Sequence, residues 1–225
     1  MTQLAVTGAS GKTGWRVVQE ALARGYQVRA LLRPGSVAPE GLAGADIVRL
    51  DLADAPALRQ ALQGCAALVI ATGARPSIDL FGPMKVDALA IRSQIDACQA
   101  VGLQRVVLVS SLCSGRWLHP LNLFGLILVW KRVGERWLQE SGLRWTVVRP
   151  GGLREAEDGL EREGVVYSGP DQQESQSIPR RLVARVCLEA LETPAAEGRI
   201  LEITSRADQP RASLNQWLSA HPAAA

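Results

Sequence analysis

Three glycines spaced by two residues each, Gly8, Gly11 and Gly14, stand between an apolar run, Leu4-Ala5-Val6, and a helix-compatible stretch, Trp15 to Arg24. The chemistry of such a loop is anion binding. Gly8 permits a turn that a side chain resists, Gly11 lets the backbone approach a pyrophosphate, and Gly14 lets the helix pack closely on the strand. Ser10, Lys12 and Thr13 lie inside the loop. The N–H groups that open the helix, together with its dipole, favour negative charge there. Strand, glycine turn and helix in that order form the context a dinucleotide-binding loop needs. The alternative is an ordinary strand-to-helix turn.

The end of the second apolar run speaks to which dinucleotide. An acid there bonds a free ribose 2′-hydroxyl and repels a 2′-phosphate. The chain has Val28-Arg29-Ala30-Leu31-Leu32-Arg33, with no acid at its tip, and Arg33 falls 19 positions after Gly14. A guanidinium binds phosphate through paired hydrogen bonds. NADP is therefore the expected cofactor, against a reading of Arg33 as a surface arginine before Pro34. Asp51-Leu52 after the third run and Ala71-Thr72-Gly73 after the fourth are candidate contacts to adenine and ribose, because ligands lie beyond the carboxyl ends of parallel strands.

The elements that must position these residues alternate. Strands are expected at 4–7, 27–32, 46–50, 67–71, 105–110 and 144–149, and helices at 12–24, 55–62, 83–100, 125–140 and 180–191. Gly25, Gly64, Gly102 and Gly142 stand just past helical runs, as C-terminal caps do. The pattern predicts an α/β fold of the Rossmann type: a doubly wound parallel sheet with helices on both faces. Residues 151–225 are expected to add a small substrate-side lobe to this single domain. It holds a β-like piece at 165–167, a strand at 200–204, a helix near 214–220 and a frayed tail from His221 to Ala225.

The chain has 225 residues, 47% of them hydrophobic and 21% charged, with a net charge of +3, which suits one soluble domain without a stabilising metal or disulfide. Its basic residues are scattered, so nucleic-acid binding is not indicated. Cys65, Cys98, Cys113 and Cys187 form no C-x-x-C pair, and three of them read as small core hydrophobes. With no secretory signal, a reducing, cytoplasmic location is expected. No apolar run reaches the roughly 18 residues of a membrane span. No metal-ligand spacing and no G-x-S-x-G elbow occur, which argues against a metalloenzyme or serine hydrolase.

Thr7 to Gly14, Leu32-Arg33, Val109-Ser110-Ser111 and Arg149-Pro150-Gly151-Gly152-Leu153 together resemble the atypical short-chain dehydrogenase/reductases. Val86-Asp87, Gln94 to Ala97, Leu128 to Arg132 and Ser177 to Arg180 resemble, more narrowly, a plant and cyanobacterial NAD(P)H-binding subgroup of the NmrA/epimerase-like kind. That subgroup is related to the NADPH-binding subunit of the chloroplast import apparatus. The resemblance spans roughly residues 3 to 205. It implies that Ser111 and Lys131 orient substrate and ribose, that Ser110 lies beside the cofactor, and that Pro150, Gly151, Gly152 and Leu153 pass beside the nicotinamide. In catalytic members a tyrosine four residues before the lysine moves a proton. Here that position is Ile127, and the only tyrosines are Tyr26 and Tyr167. A second departure is Leu182, where the subgroup has Asp.

Residues 112–124 form an apolar loop beside the expected reaction site. Trp117, Leu121 and Phe124 read equally as a flat pocket or as packing. His119 reads as a surface histidine before Pro120, or as a replacement general acid, its ordinary pKa being about 6.5. Cys113 reads as a small filler rather than a reactive thiol. The expectation is an NADP(H)-dependent oxidoreductase that passes hydride to a small flat acceptor: a quinone, flavin or carbonyl. The alternative is a non-catalytic NADPH sensor or assembly scaffold with a protein partner. An epimerase with tightly held NAD fits Arg33 less well. The chain is read as a monomer or homodimer, and the apolar stretch 118–130 as a dimer face or as buried core.

Overall fold

The computed structural model describes residues 2–74 and 79–222. Six strands follow the expected order: β1 (Gln3–Thr7), β2 (Gln27–Leu32), β3 (Asp46–Arg49), β4 (Ala67–Ile70), β5 (Arg105–Val109) and β6 (Arg144–Pro150). They pair in parallel as β3-β2-β1-β4-β5-β6, the doubly wound order that places a crevice beyond the carboxyl ends of the strands.

Period-two alternation divides the core in two. Leu4, Val6, Ala30, Val69 and Val107 face one layer, whereas Ala5, Leu31, Leu68, Ile70 and Leu108 face the other. The first layer holds helices α1 (Gly14–Ala23) and α5 (Arg180–Glu192). The second holds α2 (Ala55–Leu62), α3 (Ala90–Val101) and the C-terminal part of α4 (Ile127–Gln139). Gly25, Gly64, Gly102 and Gly142 all take the left-handed backbone of a helix stop. Leu182 is buried in the first layer, so a carboxylate at that position has no place in this packing.

The C-terminal third joins the main sheet. β10 (Arg199–Arg206) pairs parallel to β6, and β8 (Gly164–Ser168) closes the edge antiparallel to β10. Two short strands not foreseen from sequence, β7 (Gly152–Arg154) and β9 (Ser177–Pro179), form a separate parallel pair. Three residues are too few to carry a period. Helix α6 (Leu214–Ala220) packs on α5 behind a Ser213–Gln216 capping box. The expected tail residues 223–225 lie outside the described residues.

The helix expected at 83–100 is interrupted. Met84–Leu89 winds as a π-helical turn before α3 begins. Such turns recur at functional sites because they swing one side chain out of helical register. Among the described residues, no helix is long and apolar enough to cross a membrane.

Candidate functional site

The glycine loop joins β1 to α1. Gly8 takes φ +68°, and a Cβ there would lie 2.6 Å from the Ala71 carbonyl oxygen. This close approach brings the loop against the end of β4. A Cβ on Gly14 would overlap the Gly8 carbonyl, so Gly14 lets the turn fold on itself more than it packs helix on strand. Gly11 meets only the Gly8 oxygen, at 3.1 Å, and otherwise faces open space. Thr13 caps α1 without a side-chain hydrogen bond. The Trp15 N–H is taken by the Gly11 carbonyl at 3.1 Å, and the N–H groups of Gly14 and Arg16 are those the first turn can offer an anion. The Thr13 hydroxyl instead accepts from Arg180 at 3.0 Å.

A segment not anticipated from sequence lies against this loop. Glu155, just after β7, forms an ion pair with Lys12, and Glu157 pairs with Arg16 at 2.5 Å and with Arg181 at 3.3 Å. The Lys12 hydrogen bond holds the Glu155 carboxyl below its ordinary range. Burial pushes Glu157 upward, but Arg16 and Arg181 outweigh it and hold that carboxyl low too. The contacts to Lys12 and Arg16 span more than 140 residues and leave no local signal.

At the end of β2, the Arg33 side chain is exposed and makes no hydrogen bond or ion pair among the described residues. Asp51 accepts from the Ala53 N–H and shapes its own turn, and Leu52 packs against the second core layer. Past β4, the Thr72 hydroxyl is buried with no partner among the described residues. Next to it, a Cβ on Gly73 would stand 3.5 Å from Lys131 Nζ.

Lys131 comes from α4 and donates to Asp87 Oδ1 at 2.8 Å. The π-helical turn aims Asp87 inward, where its other oxygen accepts from the Ala74 N–H at 3.2 Å. A Cβ on Gly134 would overlap the Asp87 carbonyl, so only glycine lets α4 lie this close to the turn. The sequence assigns Asp87 no role, because the turn that brings it to Lys131 leaves no mark in composition or spacing.

The two serines after β5 differ. Ser110 donates to Glu135 at 2.5 Å. Ser111 is half-buried, and its hydroxyl has no partner among the described residues. Behind Ser110 runs a network whose centre, Arg149, Glu135 and Glu202, is fully buried and whose outer members, Arg132 and Asp171, reach solvent. Arg149 forks onto both Glu135 oxygens at 3.0 and 2.7 Å and reaches Glu202 at 3.3 Å. Glu202 also accepts the backbone N–H groups of Asp171, Gln172 and Gln173. Burial opposes the Arg149 charge, but its carboxylate partners raise its pKa above the ordinary value. Glu202 lies between Leu201 and Ile203 in β10, and a charge inside a buried strand demands such a partner.

Pro150 accepts the Leu112 N–H at 3.0 Å. A Cβ on Gly151 would overlap the Gln176 carbonyl, so this glycine serves the approach of β9, while Gly152 is more open and Leu153 is exposed. Neither tyrosine stands in for Ile127, itself buried at the start of α4. Tyr26 bonds Glu192, and Tyr167 bonds Glu189 and stacks on Trp217. His119 Nδ1 accepts the Leu121 N–H and caps a turn. Cys113 is buried at φ +61°, and burial raises its thiol pKa, as suits a filler. Trp117, Leu121 and Phe124 remain exposed. Burial in the chain accounts for Ile127 and Leu128 but not for Leu118 or Leu123.

The residues present fit a nicotinamide dinucleotide. They supply an open glycine cradle, a lysine at its rim, an orphaned Thr72 hydroxyl, and Lys131 beside Gly73.

Comparison with known proteins agrees. A family model described as NAD(P)H-binding matches residues 8–194. An uncharacterized chloroplastic protein of Arabidopsis thaliana is 38% identical over 92% of this chain and 78% of its own. A second such protein from that plant is 35% identical over 89% of this chain and 69% of its own. Sanguinarine reductase of Eschscholzia californica is 29% identical, covering 89% of this chain and 88% of its own. A solved structure from Bacillus halodurans, described as an NAD-dependent epimerase/dehydratase, superimposes with a TM-score of 0.84 at 25% identity, covering 98% of this chain and 100% of its own. These relatives overturn the cytoplasmic expectation, since the plant proteins are chloroplastic. The four buried, unpaired cysteines do not say which compartment holds the chain. From the loop geometry and these matches together, the chain belongs to the NAD(P)H-binding family of atypical short-chain dehydrogenase/reductases.

Proposed function

We propose that this protein is an NADP(H)-dependent oxidoreductase that passes hydride to a small flat acceptor, a quinone, flavin or carbonyl. The observation that carries the reading is the pairing of an unengaged Arg33 at the β2 end with Lys131 fixed beside Gly73. Arg33 is suited to a 2′-phosphate, and Ser10, Gly11 and Lys12 to the pyrophosphate. When bound, the nicotinamide supplies the hydride. Asp87 holds Lys131 where its ammonium meets ribose hydroxyls, and the free Ser111 hydroxyl orients the acceptor oxygen. Ile127 moves no proton. The balance with a quinone is NADPH + quinone + H⁺ → NADP⁺ + quinol, with the proton taken from solvent, so acceptors that need no protein acid suit this site. The experiment is NADPH oxidation with a quinone, flavin and carbonyl panel. Turnover above the protein-free rate is expected, and none with any acceptor removes the reading.

Ile127 also favours a second reading, an NADPH sensor or scaffold without turnover. A ligand acts on a partner only through differential binding. Pull-downs that are identical with NADP⁺, NADPH and no nucleotide exclude it.

A further inference from the structure

Between residues 80–84 and the start of α4 lies a cavity of about 350 Å³. Phe81, Met84, Leu123, Leu126 and Trp130 line it, with Asn122 as its polar side chain. Asn122 is turned to the chain itself, with both of its donors engaged. Its Nδ2 donates to the Arg116 and Trp117 carbonyls, and its Oδ1 accepts the Leu128 N–H. What the cavity can hold is hydrocarbon.

Its walls are the two elements that make the Lys131–Asp87 pair. Met84 opens the π-helical turn three residues before Asp87, and Trp130 directly precedes Lys131. Backbone contact builds it: a Cβ on Gly125 would overlap the Leu80 carbonyl, with Gly125 at φ +76°. Apolar surface continues outward over Phe81 (67% exposed), Leu123 (81%) and Leu118 (100%). An apolar concavity of this size, walled by the same two elements that carry the Lys131–Asp87 pair, suits a molecule with both apolar and polar parts.

We propose that the acceptor is an amphiphile, a quinone bearing a hydrocarbon tail, and that this cavity takes the tail. The proposal rests on the oxidoreductase reading for its head group only. Each methylene withdrawn from water strengthens binding about fourfold.

Two measurements test it. The first compares NADPH oxidation with 2,3-dimethoxy-5-methyl-1,4-benzoquinone and with its decyl derivative. A KM at least tenfold lower for the decyl compound, lost in Leu126→Glu while NADPH affinity is unchanged, is expected. Equal KM values with active turnover overturn the tail and leave the oxidoreductase reading standing. The second is calorimetric titration with 1-decanol, which needs no turnover. Saturable one-to-one binding that Leu126→Glu abolishes supports the cavity assignment even if no quinone is reduced. Uptake that does not saturate, or that survives Leu126→Glu, overturns it.

Discussion

Lys131 Nζ stands 2.8 Å from Asp87 Oδ1, and the second Asp87 oxygen holds the Ala74 N–H, so one carboxylate fixes both the lysine and the loop beyond β4. Asp87→Asn keeps the shape and removes the charge. Breaking a buried pair costs about 3 kcal/mol, and a fall of that size in urea stability is expected. In turnover, kcat should drop on the order of tenfold, because the ammonium loses its position rather than its charge. Unchanged kcat would dismiss Asp87 as a positioning residue.

In the proposed function, Arg33 selects the nucleotide through its 2′-phosphate. A charge-assisted hydrogen bond contributes about 1.5–3 kcal/mol, roughly a tenfold to hundredfold change in affinity. Arg33→Ala should weaken NADPH binding by that factor and leave NADH binding unchanged, read by quenching of the six tryptophans. Equal weakening of both nucleotides would remove Arg33 from the 2′-phosphate site.

Glu155 presents an anion to the lysine of the glycine loop. Glu155→Gln frees Lys12 and should tighten NADPH binding about two- to threefold at low salt, with the gain fading as ionic strength rises. Such a small, salt-sensitive effect fits an exposed pair. Weaker binding in the variant would mean that the strap supports the site instead of competing with phosphate.

Acid stability should depend on Glu157. Its folded-state pKa is depressed by Arg16 and Arg181 against the pull of burial. The stabilisation it contributes is therefore complete above the ordinary carboxylate pKa, about 4.3, and is lost as pH falls through its lower folded value. Glu157→Gln should melt lower than the parent at pH 7 and converge with it in acid. Parallel melting curves across that range would refute the linkage.

Arg149 keeps Glu135 and Glu202 together in the core. Arg149→Met takes the shared cation from both carboxylates, leaving Glu135 with Ser110 and Arg132 and Glu202 with three backbone N–H groups, and a loss of about 3 kcal/mol is expected in chemical unfolding. A loss below about 1 kcal/mol would show that the carboxylates find other partners or protonate.

Local pattern carried much of this molecule. The glycine loop, the apolar runs of β1, β4 and β5, and the capping glycines all act within a few residues, so local pattern foretold them. Lys131 was legible through its neighbours in sequence, but its partner was not, because the π-helical turn that aims Asp87 inward has no compositional mark. The Glu155–Lys12 and Arg149–Glu202 pairs join residues 143 and 53 positions apart, and only the closed chain brings them together. The short β7–β9 pair is made by the approach of Gln176 to Gly151, a contact between backbones that no side-chain pattern encodes.

The Gly134–Asp87 contact has a mechanical side. It presses the backbone of α4 onto the π-helical turn, a few residues from where Met84 and Trp130 wall the cavity. There the two backbones meet with no side chain between them, so the stretch of α4 that carries Lys131, the turn that carries Asp87 and the cavity wall share one seam. A Cβ at position 134 would need that seam to part, and the ion pair and the cavity wall would both have to give.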